Sequence, residues 1–179
     1  MIDDQISPRL MTWAAGNEKR LDRARSAFAL EGARWIEERV LDRYELLYEA
    51  GLVTECARDA GLPETDVRLG EPMASDHRRI LATAISRLRG KIKYRPVVFE
   101  LMPDRFALSA LQRTVEGILG LSLHTQNFRR ALEKTGFVQG TGAMETGTGG
   151  RPAELFRFCR EHALNMSSTG LSAPRKATD

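Results

Sequence analysis

Between Phe106 and Phe158 the chain changes its hydrophobic period, and that change limits the folds open to it. Leu111, Val115, Ile118 and Leu119 recur at helical spacing, with Ser109 as the expected N-cap and Gly120 as the stop. A short connection, Leu121 to His124, leads into a second helical run in which Phe128 and Leu132 face inward and Gly136 is the terminal glycine. Two strand-like runs follow, Phe137 to Gly140 and Glu154 to Phe158, paired across a glycine- and threonine-rich turn from Thr141 to Gly150.

Helix, helix and hairpin, with Arg151 where the turn closes, is the order of a winged helix-turn-helix. The expected fold class is therefore α+β and mostly helical, a winged helix-turn-helix over residues 72–162 preceded by a helical extension over residues 1–71. Residues 163–179, rich in Ser, Thr, Pro and Lys, are expected to be a disordered tail.

Within the extension, Ile6 to Ala29 reads as two helical pieces broken near Gly16 and Asn17. Ile36, Val40, Tyr44, Leu47 and Tyr48 then form an amphipathic stripe running to about Gly51, with a continuation to Arg58. That stripe is more apolar than one small winged helix requires, and motivates a homodimer through these helices or through the helix from Asp76. Gly61 to Pro72 reads as a loop. Ser75 is the expected cap of a helix with Ile80, Leu81, Ala84, Ile85 and Leu88 on one side and Arg78, Arg79, Arg87 and Arg89 on the other. Arg95-Pro96 breaks it, and Val97 to Phe99 reads as a short strand stopped by Pro103.

Net charge is only +3, but its distribution is uneven. From Asp76 to Arg95 seven basic residues face one acid, whereas from Glu31 to Glu71 acids outnumber arginines about two to one. Such asymmetry directs a basic segment at phosphate, or else marks two solvated helix faces. Cys56 and Cys159 have no metal-type spacing, and each suits a small apolar position in a reducing compartment. The first ten residues lack a signal-peptide core, and no run approaches the roughly 20 apolar residues of a membrane span. A cytoplasmic, nucleoid-associated bacterial protein is the expectation.

Catalysis finds little support. His77, His124 and His162 lie on three different elements without a local metal-ligand partner, so neither a metal nor another cofactor is expected. No GxSxG signature occurs, and the turn TGAMETGTGGRP lacks the GK[ST] ending of a phosphate loop and precedes a strand. The tract RYELLYEAGLV echoes the end of a Nudix box through Glu45, Glu49 and Gly51. Tyr44 and Tyr48 stand where that box needs an arginine and a glutamate, and two carboxylates are too few to hold magnesium for diphosphate hydrolysis. The chain is read as a non-enzyme.

Placement carries the nucleic-acid reading. A recognition helix offers its N-terminal residues to major-groove edges while a wing grips phosphates. His124, Thr125, Gln126 and Asn127 open the second helix of the pair, and amide side chains there can pair bidentately with adenine. Arg129 and Arg130 follow one turn on, Arg151 sits at the wing, and Arg78 and Arg79 are further candidate phosphate anchors outside the winged helix. The alternative is a winged helix that docks a protein and ignores DNA.

Several motifs agree in order and spacing over Pro72 to Arg160: DHRRIL, YRPVVFEL, ALSALQR, NFRR and GRPAELFRF. In these the chain resembles the C-terminal part of the Nudix-related transcriptional regulators of NAD metabolism, the NrtR type. The resemblance implies a repressor that binds double-stranded DNA as a dimer, with its recognition pattern on Thr125, Gln126, Asn127, Arg129 and Arg130 and its wing arginine on Arg151. Members of that family carry an N-terminal Nudix-like domain that senses ADP-ribose-type metabolites. Here only helices precede the winged helix, resembling the interdomain linker of longer members. The chain is thus expected to be a fragment or a shortened protein, with an ADP-ribose-type effector only where a sensor domain accompanies it.

Overall fold

A computed structural model of the chain describes residues 5–61, 63, 69, 71, 73–145 and 152–165. The chain divides into two compact units, Met1–Arg87 and Leu88–Asp179, and the division falls within a helix, α5.

The first unit is helical. α1 (Ser7–Ala14) and α2 (Glu18–Phe28) part at Gly16, whose φ is 77°, and Asn17 caps α2 by accepting the Arg20 N–H at 3.2 Å. Leu10, Ala24, Ala27 and Phe28 bury their side chains with Leu30, Leu46 and Leu52. α3 (Val40–Glu49) starts later than the stripe from Ile36 predicts, because Arg43 draws the preceding segment into an irregular path. Its guanidinium donates to the carbonyls of Ala27, at 2.6 Å, and Ile36, and lies over the Trp35 ring, 3.5 Å from the centroid. Gly51, at φ 71°, ends α3, so the expected continuation is a separate helix, α4 (Thr54–Asp59).

Much of the apolar stripe is consumed inside this unit. Tyr44 packs with Val53 and Ala82, and Val40, Leu41, Leu47 and Tyr48 pack against them. α5 (His77–Ile92) departs from its predicted form in two respects. Ser75 adopts φ 45° and lies two residues before the helix, outside the extended region that a capping residue takes. Ala82, rather than Ile80 or Leu81, turns inward; Ile80 and Leu81 are 56% and 46% exposed.

In the second unit, Val97–Leu101 is a 3-10 turn and not the predicted strand. A strand with one buried face alternates its burial, whereas Val98 and Phe99 are buried consecutively, at 0% and 5% exposure. Phe99 stacks on Phe158, centroids 4.3 Å apart, and meets Phe137 edge-on. A two-residue strand, β1 (Phe106–Ala107), leads into α6 (Leu108–Leu119) and α7 (Thr125–Thr135), followed by β2 (Val138–Glu145), β3 (Ala153–Phe158) and α8 (Arg160–Asn165). α6 starts one residue before Ser109, with Ala107 at the cap position.

The sheet is antiparallel in the order β1-β3-β2. Val138 pairs with Phe158 and Gly140 with Phe156, then the register shifts before Met144 meets Glu154. Thr141 bridges that irregularity, its hydroxyl donating to the Leu155 carbonyl at 2.7 Å and accepting the Ala143 N–H. Gly140 is required there, since a Cβ would lie 2.4 Å from the Glu154 carboxylate. The bulge lets β2 run to Glu145, five residues beyond its predicted end. Leu111, Val115, Leu119, Leu123, Phe128, Leu132 and Phe137 form the core between the helices and this sheet.

Candidate nucleic-acid interface

α6 ends on Gly120 in the left-handed region, φ 71°, with its N–H bonded to the Glu116 carbonyl at 2.7 Å. Arg89 donates from Nε to the Ile118 carbonyl at 2.6 Å, satisfying an acceptor at the negative end of α6. Its guanidinium is therefore committed within the second unit. A turn of five residues, Gly120 to His124, reverses the chain into α7.

The sequence of α7 divides cleanly by face. Phe128 and Leu132 are 1% and 0% exposed, while His124, Thr125, Gln126, Asn127, Arg129 and Arg130 are all exposed. His124 occupies the N-cap position in extended conformation, but no side chain caps the helix. The Phe128 N–H closes the first turn on the His124 carbonyl at 2.9 Å. The N–H groups ahead of it have no intrahelical partner, so the positive end of the helix dipole opens beside three polar side chains. Among the described residues Arg129 and Arg130 make no hydrogen bond or ion pair. An uncapped N-terminus with exposed amides and two exposed arginines is chemically suited to phosphate and base edges.

The turn into α7 is pinned by two side chains of α6 that sequence reasoning missed. Gln112, only 9% exposed, donates from Nε2 to the Leu123 carbonyl and to Glu116 Oε1, each at 3.0 Å, with Thr125 Oγ1 at 3.3 Å. Glu116 Oε1 also accepts the Leu123 N–H at 2.8 Å. That backbone donor, then Gln112, holds the Glu116 carboxyl below the usual carboxylate range. The spacing of four between Gln112 and Glu116 on one helix was the available signal, hidden inside the ALSALQR motif.

Arg151 lies outside the described residues, as does the stretch 146–150 before it. Of the remaining candidates, Arg78 and Arg79 belong to the first unit. Arg78 donates from Nε to the buried Glu55 at 2.7 Å and reaches the carbonyls of Leu69, at 2.8 Å, and Glu71. Every nitrogen at its tip is engaged in holding a loop. Arg79 pairs with Glu45 at 2.9 Å, both side chains well exposed.

The fold of the second unit and the exposure of α7 define a winged helix-turn-helix. Residues 98–158 match the family model described as the NrtR DNA-binding winged helix domain. The ADPR responsive transcriptional repressor NtrR of Acinetobacter baylyi is 40% identical over 86 residues, 48% of this chain and 34% of that protein. The C-terminal part of the chain is thus a winged helix of the NrtR type. Among solved structures, the chain is similar to Shewanella oneidensis NrtR complexed with a 27mer DNA, at 31% identity and TM-score 0.48, over 62% of this chain and 47% of that one. It is similar also to Shewanella oneidensis NrtR alone, at 33% identity and TM-score 0.45, over 53% and 43%. The chain spans about a third of the length of the curated relative.

Proposed function

We propose that this chain is the DNA-reading part of a transcriptional repressor, inserting the start of α7 into the major groove and gripping the backbone with the β2–β3 wing. The observation that carries the reading is the division of α7, with Phe128 and Leu132 inward and Thr125, Gln126, Asn127, Arg129 and Arg130 exposed around an uncapped N-terminus. Thr125, Gln126 and Asn127 read bases, Arg129 and Arg130 meet phosphate, His124 lies at the margin, and Arg151 serves the wing on the strength of the sequence alone. Arg78 and Arg79 are left out, because their guanidinium groups already have acidic partners.

NAD-metabolism genes are the targets the family resemblance implies, and an ADP-ribose-type effector acts where a sensor region accompanies this part. A homodimer reading two half-sites completes the proposal. The exposed Ile80 and Leu81 on α5 support it, now that most of the α3 stripe is packed inside its own unit. The reading assigns no catalytic role.

Selection of bound duplexes from random DNA, repeated with and without ADP-ribose, tests the reading. Enrichment of a two-fold symmetric sequence is expected. Retention on heparin with no enrichment would overturn it in favour of a protein-docking winged helix, and light scattering that shows a monomer at high micromolar concentration would overturn the dimer.

A further inference from the structure

We propose that Gln112 and Glu116 are positioning residues for sequence reading, acting as a two-handed clamp on the Leu123 peptide that sets how α7 meets the groove. The inference rests on the DNA-reading proposal and adds residues that no base-reading pattern contains.

The geometry distinguishes this pair from ordinary packing. Leu123 stands two residues before the first residue of α7, and both its backbone polar groups are held by side chains of the preceding helix. Glu116 accepts from the N–H and Gln112 donates to the C=O, while the hydrogen bond between their own side chains fixes the two hands relative to each other. The Gln112 amide also reaches Thr125 Oγ1, the first side chain of the proposed reading set. The Leu123 side chain is 5% exposed and embedded in the same core as Phe128 and Leu132. The apolar contacts hold α7 against the core, but such contacts are non-directional and tolerate a small roll or slide. Directional hydrogen bonds at the turn remove that freedom. Base pairing by amide side chains demands a fixed helix, whereas phosphate contact by long arginines does not.

Specific and non-specific binding should therefore separate. Gln112→Leu and Glu116→Ala in the full chain are expected to lower the preference for the selected duplex over random duplex by about tenfold, the usual cost of leaving one buried polar group unpaired. Affinity for random duplex and its salt slope should stay unchanged. Glu116→Gln keeps an acceptor for the Leu123 N–H and should recover most of the preference, and amide exchange at Leu123 should rise in Glu116→Ala and return in Glu116→Gln. Should Gln112→Leu fail to fold by circular dichroism, the two Glu116 variants carry the test. Discrimination that survives these substitutions, or specific and random affinities that fall together, overturns the clamp alone. A native chain that prefers no duplex overturns the clamp together with the reading beneath it.

Discussion

Arg78 and Glu55 form an ion pair, 2.7 Å between Nε and Oε1, in which the carboxylate side chain is 1% exposed and the guanidinium 17%. The same Glu55 oxygen accepts the Met73 N–H at 3.2 Å, so one buried acid joins α4, α5 and the segment that returns between them. An arginine that the charge pattern offers to DNA is instead the internal tie of the first unit.

Replacing Arg78 by alanine should therefore destabilise the first unit and leave DNA binding intact. Removing one partner of a buried pair costs about 3–5 kcal/mol, because the other charge stays behind. Both tryptophans, Trp13 and Trp35, lie in this unit, so intrinsic fluorescence during denaturation reads its stability. A salt slope reduced by about one in this variant would return Arg78 to the phosphate-binding set.

Acid should loosen the first unit through the same carboxylate. Burial pushes the Glu55 carboxyl up, but its own backbone N–H, that of Met73 and the Arg78 guanidinium together outweigh burial and hold it below the ordinary range. A carboxyl depressed in the folded state contributes stability above its unfolded value of about 4.3. That contribution disappears as pH falls through the folded value. Glu55→Gln should lower stability at neutral pH and flatten its dependence below about pH 5, read by the same fluorescence. A variant that keeps the native acid profile would show that other carboxylates set it.

Arg43 should tolerate no other cation. Its fork bonds two carbonyls from separate segments while its plane lies over Trp35. A lysine has neither the fork nor the flat face. Arg43→Lys is expected to cost about 2 kcal/mol and to shift Trp35 emission toward the red. Unchanged stability would mean that neither carbonyl depends on this side chain.

Gly120 should resist substitution for two separate reasons. Its φ of 71° strains any residue with a Cβ, and such a Cβ would lie 2.8 Å from an Arg89 nitrogen. Gly120→Ala should cost about 1–2 kcal/mol, and Gly120→Asn less in backbone strain. Arg89→Ala in the Gly120→Ala background should recover the steric part, and a double mutant no better than the sum of the singles would exclude that clash.

Within the reading helix, Asn127→Ala should relax preference at one base pair at a cost of about 1–3 kcal/mol. Alanine at Arg129 or Arg130 should instead weaken all duplexes alike, and each substitution that frees one phosphate should lower the salt slope by about one. Equal weakening on selected and random DNA from the Asn127 change would remove it from the base-reading set.

Local pattern was legible wherever the deciding interactions were close in sequence. The α6–α7 pair could be read from apolar spacing and from Gly120 and Gly136, since periodicity and helix-ending glycines act within a turn or two. Val97 to Phe99 misled because β-propensity describes a fit to a pleated surface, and these residues enter the core consecutively around Phe158. Ile80 and Leu81 misled because a helical stripe says which side is apolar without saying what covers it.

By itself, the sequence determined the order of helices and hairpin, the inward face of α7 and its exposed polar start, because each follows from the period and chemistry of neighbouring residues. Only the tertiary structure decided which polar groups remain available. Arg78 meets an acid 23 residues away, Arg89 a carbonyl 29 away, and Gln112 a carbonyl 11 away, so all three are engaged before any ligand arrives. Charge is written into a side chain, but its availability depends on partners that the folded chain brings within about 3 Å.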